Sequence, residues 1–486
     1  VGSGYRPTAV TRVRVVLVVV LLIVAGAAGT ATALTELEKK PVAIGSPATD
    51  TPVLSARRVP AVIAAPVADR RLTAALDDLV SRQPGTECLT VTSYGRTIYA
   101  TNADAPLVPA SLQKLVTALA ALEVLGPEFR FRTVLVAAAP AVAGVVAGDV
   151  WLVGGGDPLL STADYLARFR HQPQIATSAE ALADTLVAAG VTAIDGALLG
   201  DESRYDTARY VSAWPARFIA QDQSGPLSAL TVNDNWVEFP ANPDTSVPDE
   251  APAGDPAAHG AAVVGGLLEA RGVSISGSTG VGAAPAGAVE LAAIHSPPLL
   301  EVLTQLLRES DNQTGELLLK ELAVARGLPG TTANGATVAA EVATGLGLGG
   351  PGTAVVDGSG LAEQNRQTCA ALQAILDRGG AGSPLPAMLS VAGVNGTLDR
   401  RFAEHPVAGR LLAKTGTLDQ VTALAGYLET EGGARLSFSY VVNLDRPDVV
   451  DQPDVDLQTE LVEILDRYPQ TPSFNELGPV PLAAAD

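Results

Sequence analysis

The chain has 486 residues, which is too long for one small core and predicts two or three domains. Hydrophobic residues make up 47% of the sequence and charged residues 17%, a globular composition that excludes wholesale disorder. The formal net charge is −20, with acidic residues spread along the chain. This argues against a nucleic-acid partner, because phosphate binding needs clustered lysine and arginine.

The N-terminal segment, residues 1–34, predicts export. Three arginines precede an apolar run from Val15 to about Leu34 that is long enough to cross a bilayer as one helix. Positive charge before such a run places that end in the cytoplasm and the rest of the chain outside. Ala31-Thr32-Ala33 also resembles a signal-peptidase site. A retained membrane anchor and a cleaved signal peptide therefore both remain open.

The next segments are predicted from composition and periodicity. Residues 35–66 are rich in alanine, proline and valine and are typical of a spacer. A helix is predicted from near Pro66, a strand with a turn from Cys88 to Ala100, and a helix from Ser111 to Leu125 that Gly126 and Pro127 end.

Residues 133–295 differ from the segments on either side in the pattern of their hydrophobic residues, glycines and prolines. They hold short β-like runs such as Val150–Val153, punctuated by glycine and proline. Ala251–Gly260 reads as a polar, proline-containing loop. We therefore predict an inserted, mostly β region here.

The C-terminal part returns to clear helical and strand-like patterns. Thr430–Gly433 is predicted as a tight turn between two strand-like runs. The predicted helices are Leu299–Leu307, Glu316–Ala325 and a final amphipathic helix around Leu457–Leu465, the strand-like runs are Leu411–Glu429 and Ala434–Asn443, and the tail is 469–486.

The two cysteines, Cys88 and Cys369, form a disulfide or remain free thiols, and the sequence does not show whether they lie close together. An exported chain is able to form the bond. The sequence contains no Cys-x-x-Cys pair or Cys/His cluster, and its four histidines are scattered, so a metal site has little support.

A first motif, Ser111-Leu112-Gln113-Lys114, places a serine at the start of a predicted helix, near the positive end of the helix dipole. Lys114 shares a helix face with Ser111 and can take its proton if burial or a neighbouring cation lowers the lysine pKa. The pattern alone is weak, because Ser-x-x-Lys often occurs by chance.

A second motif, Ser310-Asp311-Asn312, lies in the break between two predicted helices. The Ser310 hydroxyl can relay a proton between Lys114 and a leaving group, and the Asn312 amide can both donate to and accept from a peptide. This motif alone is equally weak, because these residue types are common in loops and helix caps.

A third motif, Lys414-Thr415-Gly416-Thr417, lies near the start of a predicted strand. Lys414 supplies a cation and the two threonines supply hydroxyls, which suits the terminal carboxylate of a substrate. Gly416 allows a close backbone approach, and the strand can pair with an extended peptide.

The three motifs together are typical of class A β-lactamases and penicillin-binding proteins, in this order and in these contexts. Over roughly residues 70–445, the chain more specifically resembles the DacB-like serine D-alanyl-D-alanine carboxypeptidases, which are class C low-molecular-mass penicillin-binding proteins. Besides the three motifs, the matching segments are Gly154–Pro158, Ser228–Asn235, Asp357–Leu361 and Gly393–Leu398.

The resemblance implies an α/β (α+β) serine β-lactamase/transpeptidase-like domain over residues 67–132 and 296–468, interrupted by the mostly β insertion at 133–295. It implies a carboxypeptidase, with or without D,D-endopeptidase activity, that acts on peptidoglycan peptides ending in D-Ala-D-Ala outside the cytoplasm. The N-terminal segment would supply any membrane contact. β-Lactam antibiotics would act as inhibitors, and neither a metal nor an organic cofactor is needed.

The resemblance also implies roles for individual residues. Ser111 attacks the carbonyl between two D-alanines, Lys114 is the general base, and Ser310 passes the proton to the departing D-alanine. The backbone N–H groups of Ser111 and Thr417 form an oxyanion hole, where a donor is worth about 3–4 kcal/mol. The substrate-binding residues are Asn312, Lys414, Thr415, Gly416 and Thr417.

Two other functions remain open. A β-lactamase would share the nucleophile, but a class A enzyme needs a deacylating glutamate, usually in Glu-x-x-Leu-Asn, and the sequence has no such motif. A non-catalytic wall-binding or scaffold protein would not require Lys114. Asp357–Gly360 is typical of a glycine-rich turn near the site, and we do not expect it to take a direct part in the reaction.

Overall fold

The computed structural model describes residues 59–240, 251–380, 382–446 and 449–470. The predicted N-terminal anchor or signal, most of the spacer and the tail beyond residue 470 lie outside these residues. In the described part of the chain, no helix is both long enough and apolar enough to span a membrane.

The first elements are two helices with a hairpin between them. They are α1 (Val59–Ser81), β1 (Gly85–Ser93), β2 (Arg96–Thr101), a 3-10 turn (Ala110–Leu112) and α2 (Gln113–Leu125). The turn predicted within Cys88–Ala100 lies at Tyr94 and Gly95 and connects β1 to β2, and Gly126 ends α2 with a φ of 82°. Such a positive φ is accessible to glycine at little cost, which explains the stop.

Short strands and helices alternate between residues 132 and 295. In chain order they are β3 (Arg132–Ala137), β4 (Val145–Val146), β5 (Val150–Val153), β6 (Leu160–Ser161), α3 (Ala163–Ala167), β7 (Thr177–Ser178), α4 (Ala179–Ala188), β8 (Ala193–Ile194), β9 (Leu198–Asp201), α5 (Ala216–Ala220), β10 (Trp236–Glu238), β11 (Ala251–Pro252), α6 (Pro256–Glu269), β12 (Ser274–Ile275), β13 (Gly280–Val281) and β14 (Val289–His295).

The expectation of a loop over Ala251–Gly260 is wrong, because α6 begins inside it at Pro256. Asp255 caps this helix, and its carboxylate accepts from the N–H of Ala258 at 3.1 Å. An acidic cap followed by proline at the first helical position is a helix start signal rather than a break.

The last part of the chain contains helices followed by a three-stranded meander. The elements are α7 (Leu299–Arg308), α8 (Asn312–Ala325), α9 (Thr332–Gly345), α10 (Cys369–Arg378), α11 (Leu385–Met388), β15 (Ser390–Val391), β16 (Leu411–Leu418), β17 (Val421–Glu429), β18 (Arg435–Leu444) and α12 (Gln452–Asp466). The prediction of one strand over Leu411–Glu429 is wrong, because the chain reverses at Asp419 and Gln420. This turn contains neither glycine nor proline, so no strong turn signal separates the two strands.

An antiparallel six-stranded sheet joins the first two and the last four strands of the described residues, in the order β15-β16-β17-β18-β1-β2. Tyr440 of β18 lies between Leu89 of β1 and Leu424 of β17. These three side chains belong to a core shared with α1 and α12, whereas Val441 belongs to the core on the other face, shared with α2, α7, α8 and α10. Side chains alternate along a strand, so a sheet covered by helices on both faces is apolar at nearly every position.

Residues 132–295 form sheets of their own within the described chain. One has five strands in the order β13-β9-β5-β3-β14, and another has three in the order β12-β8-β4. Leucine and valine side chains of these strands pack with α4 and α6 in a separate core. The six-stranded sheet receives no strand from this part of the described chain.

A disulfide bond joins Cys88 on β1 to Cys369 at the start of α10, with an Sγ–Sγ distance of 2.06 Å. Both cysteines are buried. The bond ties a central strand of the six-stranded sheet to the helix that follows the Asp357–Leu361 turn.

Candidate active site

Ser111 and Lys114 meet where the 3-10 turn passes into α2. Lys114 Nζ lies 2.9 Å from Ser111 Oγ, and the lysine is fully buried. Ala110, just before the serine, has a φ of 49°, which is uncommon for a residue with a side chain. Gly416 lies against this bend, and a Cβ on it would come within 3.0 Å of the Pro109 carbonyl oxygen. The close approach explains the glycine in the third motif.

Two further acceptors hold the lysine amine. Lys114 Nζ donates to Asn312 Oδ1 at 2.7 Å and to the Ser359 carbonyl at 2.7 Å. A neutral amine has two N–H groups and one lone pair. When these two acceptors take both hydrogens, the lone pair is left for the Ser111 hydroxyl.

The surroundings of Lys114 favour that neutral form. Burial lowers the pKa of Lys114 to about 8, although the carboxylates of Asp357, Asp311 and Glu316 act in the opposite direction. A base with this pKa has an appreciable unprotonated fraction near neutral pH. The amine is therefore suited to remove a proton from Ser111.

The second and third motifs meet through Ser310 and Lys414. Lys414 Nζ donates to Ser310 Oγ at 2.8 Å and to the Thr415 carbonyl at 2.9 Å. Ser310 has a φ of 60°, and backbone strain of this kind often occurs at functional sites. Burial, and then the charge of Lys114, holds the pKa of Lys414 well below its ordinary value.

Asp311 and Asn312 have different tasks at the start of α8. Asp311 caps the helix, because its carboxylate accepts from the N–H of Thr314 at 3.0 Å and from the Thr314 hydroxyl at 2.7 Å. Asn312 then extends toward Lys114, and its Nδ2 donates to the carbonyl of Gln223 at 2.6 Å. A backbone group from residues 133–295 thus contacts the asparagine of the second motif.

The third motif lies on a partly unpaired edge of the sheet. β15 pairs only with residues 412 and 413 of β16, so in the described chain no strand covers this edge from Lys414 onward. Thr417 is exposed, and Thr415 Oγ1 donates to Thr397 Oγ1 at 3.0 Å. An extended peptide can add to such an edge through main-chain hydrogen bonds.

The turn Asp357–Leu361, predicted only to lie near the site, contacts Lys114 directly. Its Ser359 carbonyl bonds Lys114, and its glycines have no room for side chains: a Cβ on Gly358 would lie 2.2 Å from the Gly315 carbonyl oxygen. Asp357 is buried and accepts from the indole N–H of Trp214 at 2.8 Å. The two closely spaced glycines of this turn indicate a tight backbone approach in the sequence. No sequence pattern indicates the contacts of Trp214 and Gln223.

In the part of the chain that the structure describes, no group of three or more histidine, cysteine, aspartate or glutamate residues is arranged to hold a metal ion. The polar groups gathered at the site are hydroxyls, amines, an amide and backbone carbonyls, and they suit nucleophilic catalysis by serine.

Comparison with known proteins identifies the family. The model of the D-Ala-D-Ala carboxypeptidase 3 (S13) family matches residues 72–257 and 250–464. The chain belongs to this family. The match confirms the predicted family, and with it a serine-type D-Ala-D-Ala carboxypeptidase as the class of enzyme.

Two bacterial carboxypeptidases are similar in sequence to this chain over most of its length. The D-alanyl-D-alanine carboxypeptidase of Actinomadura sp. strain R39 is 30% identical over 425 residues, which cover 72% of this chain and 76% of that protein. Carboxypeptidase DacB of Mycolicibacterium smegmatis is 30% identical over 400 residues, covering 79% and 83%.

The solved structure of penicillin binding protein 4 (dacB) from Haemophilus influenzae has a TM-score of 0.68 at 20% identity and covers 81% of this chain and 99% of that chain. Its complex with a novel β-lactam has a TM-score of 0.60 at 20% identity, covering 82% and 98%. These likenesses confirm the predicted fold class.

Proposed function

We propose that Ser111 is the nucleophile with which this S13-family carboxypeptidase cleaves the terminal D-Ala-D-Ala bond of peptidoglycan stem peptides. The observation that carries the proposal is the buried Lys114 amine, which lies 2.9 Å from the serine hydroxyl and has two other acceptors for its hydrogens. Lys114 takes the hydroxyl proton, and the serine oxygen attacks the carbonyl between the two D-alanines. Water then hydrolyses the acyl-enzyme.

Ser310 and Lys414 supply the proton to the leaving group. The attack expels D-alanine as an amine, which must gain a proton as the bond breaks. Ser310 Oγ is bonded to Lys414 Nζ, so a proton that the hydroxyl gives up is replaceable from the lysine behind it. This differs from a direct relay between Ser310 and Lys114, because in the described chain the hydrogen-bond partner of the Ser310 hydroxyl is Lys414.

The substrate binds as an extended strand along the free edge of β16. The N–H groups of Ser111 and Thr417 stabilise the developing oxyanion. Thr415 and Thr417 offer hydroxyls to the terminal carboxylate, and Lys414 offers the charge, because an anion beside it favours its protonated form. Gly416 keeps the edge close to the nucleophile, and Asn312 borders the same cleft.

β-Lactam antibiotics acylate Ser111 in the same way. The solved β-lactam complex of a protein with this fold supports this proposal. A fluorescent penicillin should label the wild-type protein, and the label should be lost slowly. Rapid loss would favour a β-lactamase, and a folded protein that takes up no label would favour a wall-binding scaffold.

Digestion of purified muropeptides, followed by mass spectrometry, tests the substrate. Loss of one D-alanine from pentapeptides is the expected result. Conversion of cross-linked dimers to monomers would show additional D,D-endopeptidase activity, and no change in any muropeptide would contradict the proposal.

We also propose that 67–132 and 296–468 form the catalytic domain and that 133–295 is an insertion. The support is the sheet topology, in which the six-stranded sheet and the sheets of residues 132–295 share no strand in the described chain. Export to the outer side of the cytoplasmic membrane is supported by the apolar N-terminal run and by the disulfide, which suits an oxidising compartment.

A further inference from the structure

Glu316 is a fully buried acidic residue close to the active site. It lies four residues after Asn312 on α8, so the two side chains leave the same face of the helix. The proposed reaction assigns it no task. A glutamate is almost never fully buried without a partner or a task that offsets the loss of solvation.

One oxygen of Glu316 fixes the turn that contacts Lys114. Oε1 accepts from the N–H of Gly358 at 3.0 Å and from the N–H of Ser359 at 2.8 Å. The carbonyl of Ser359 in turn accepts from Lys114 Nζ at 2.7 Å. Glu316 is therefore one residue away from the proposed base through a chain of hydrogen bonds.

The other oxygen of Glu316, Oε2, is buried and makes no hydrogen bond of ordinary length in the described residues, although the Ser359 side chain lies near enough to lower the pKa of the carboxyl. Asp357, in the same turn, differs because both of its oxygens are satisfied. Its donors are Gly360 N and Asn365 Nδ2 on Oδ1, and Trp214 Nε1 and Ala362 N on Oδ2. A purely structural clamp would be expected to resemble Asp357, because an unpaired buried oxygen is unfavourable.

We propose that Glu316 is a positioning residue for acylation, which holds the Ser359 carbonyl against the Lys114 amine and controls through its charge how readily that amine gives up a proton. The inference rests on the proposed roles of Ser111 and Lys114. Its physical basis is that the Ser359 carbonyl takes one of the two N–H groups of the neutral amine and so helps to direct the lone pair toward the nucleophile.

The protonation of Glu316 and that of Lys114 depend on each other. Burial, and then the charge of Asp357, raises the pKa of Glu316 to about 8, and burial lowers the pKa of Lys114 to about 8. The other charged groups that face the pair are Asp311 at the start of α8 and Lys414 on β16. Two groups that titrate in the same range and interact share their protons, so a change at one shifts the other.

Replacing Glu316 by glutamine separates charge from shape. Glu316→Gln keeps a carbonyl oxygen for the two turn N–H groups but removes the negative charge. The charge of Glu316 raises the pKa of Lys114, so its removal lowers that pKa and lets the amine lose its proton at lower pH. The acylation rate should therefore begin to rise at lower pH than in the wild type.

The test is the rate of acylation by a fluorescent penicillin, measured as a function of pH around 8. Glu321→Gln is the matched control, because Glu321 is also buried on α8 but its carboxylate is bonded to Arg204 and Tyr205. The control should melt at lower temperature and keep the wild-type pH profile. Glu316→Gln should shift the rising limb to lower pH.

Glu316→Ala tests the positioning by the side chain. Loss of the acceptor should lower the limiting acylation rate by about tenfold, the loss expected for one buried hydrogen-bond acceptor, and glutamine should restore most of it. If the alanine variant does not fold, the glutamine profile decides alone. A wild-type rate for a folded alanine variant, or superimposable profiles for the wild type, Glu316→Gln and Glu321→Gln, would overturn the role of Glu316. A wild type that penicillin does not acylate would overturn the proposed function as well.

Discussion

Lys414 Nζ lies 2.8 Å from Ser310 Oγ, although 104 residues separate them in sequence. Each of the two lysines at the site, Lys114 and Lys414, thus holds a different serine. Their like charges oppose each other, and the charge of Lys114 lowers the pKa of Lys414 further than burial alone does. Protonation of Lys114 therefore favours the loss of a proton from Lys414, as the proposed supply of a proton through Ser310 to the leaving group requires.

Ser111→Ala should abolish labelling by penicillin and leave the fold intact, because only the nucleophilic oxygen is removed. Gel fluorescence with intact-protein mass spectrometry measures the label, and circular dichroism checks the fold. Ser178→Ala is a suitable control, since that serine caps α4 in residues 132–295 by accepting from Ala181 N at 3.1 Å. Stoichiometric labelling of folded Ser111→Ala would show that another residue is acylated.

Lys114→Met should lower the acylation rate by about 100-fold or more, the usual effect of losing a general base. In the wild type the rate should rise with pH through about 8 and then level off, because the active form is the neutral amine and its pKa lies near 8. Stopped-flow or quenched labelling across this range gives both results.

Lys320→Met is the matched control for Lys114→Met. Lys320, on α8, is also a fully buried lysine. Its amine pairs with Asp206, which belongs to residues 132–295. This variant should lose stability and retain the labelling rate of the wild type. Equal losses of rate in the two variants would mean that burial of a lysine, rather than its chemistry, matters.

A D-Ala-D-Ala peptide whose C-terminus is blocked as the amide should be cleaved with a kcat/KM roughly tenfold or more below that of the free acid, because charge-assisted hydrogen bonds to a carboxylate are worth about 1.5–3 kcal/mol. Thr415→Val should shrink this difference. Thr422→Val should preserve it, since Thr422 Oγ1 accepts instead from Gln458 at 2.6 Å. Equal cleavage of acid and amide by the wild type would favour an endopeptidase.

The double variant Cys88→Ala, Cys369→Ala should have a free energy of unfolding about 2–5 kcal/mol lower than the wild type, since the bond closes a loop across a separation of 281 residues. Denaturant titration measures the difference, and reduced wild-type protein is the control. Protein exported by its native host and denatured without reductant should show no free thiol. Two free thiols would rule out the bond in the cell.

Local signals in the sequence predicted much of this fold. The helices around Leu303 and Leu319 and the hairpin at Gly95 follow from periodicity and turn chemistry over short stretches. The turn at Asp419 and Gln420 does not follow from the sequence pattern, because it contains neither glycine nor proline and a single aspartate is a weak turn signal. The start of α6 does not follow from composition, because the proline at its first position is equally typical of a loop.

The site was predicted as far as its residues carry recognisable chemistry. Ser111, Lys114 and Ser310 stand in motifs, and the structure brings them to one place. Glu316 was not found, because an acidic residue within an apolar helical run reads as solvent-facing until the packing of α8 is known. The contact between Gln223 and Asn312 is made by a backbone carbonyl, and a pattern of side chains in a sequence cannot predict it.

The contacts of Trp214 and Gln223 make residues 133–295 a chemical participant in the cleft rather than an attached module. Excising this stretch to obtain a minimal enzyme would strip Asp357 of its indole donor and leave the Asn312 amide without its acceptor. Asn312 bonds directly to Lys114, and the charge of Asp357 raises the pKa of Lys114, so both changes would act on that amine. We therefore expect a shortened enzyme to differ from the full chain first in the pH dependence of its acylation.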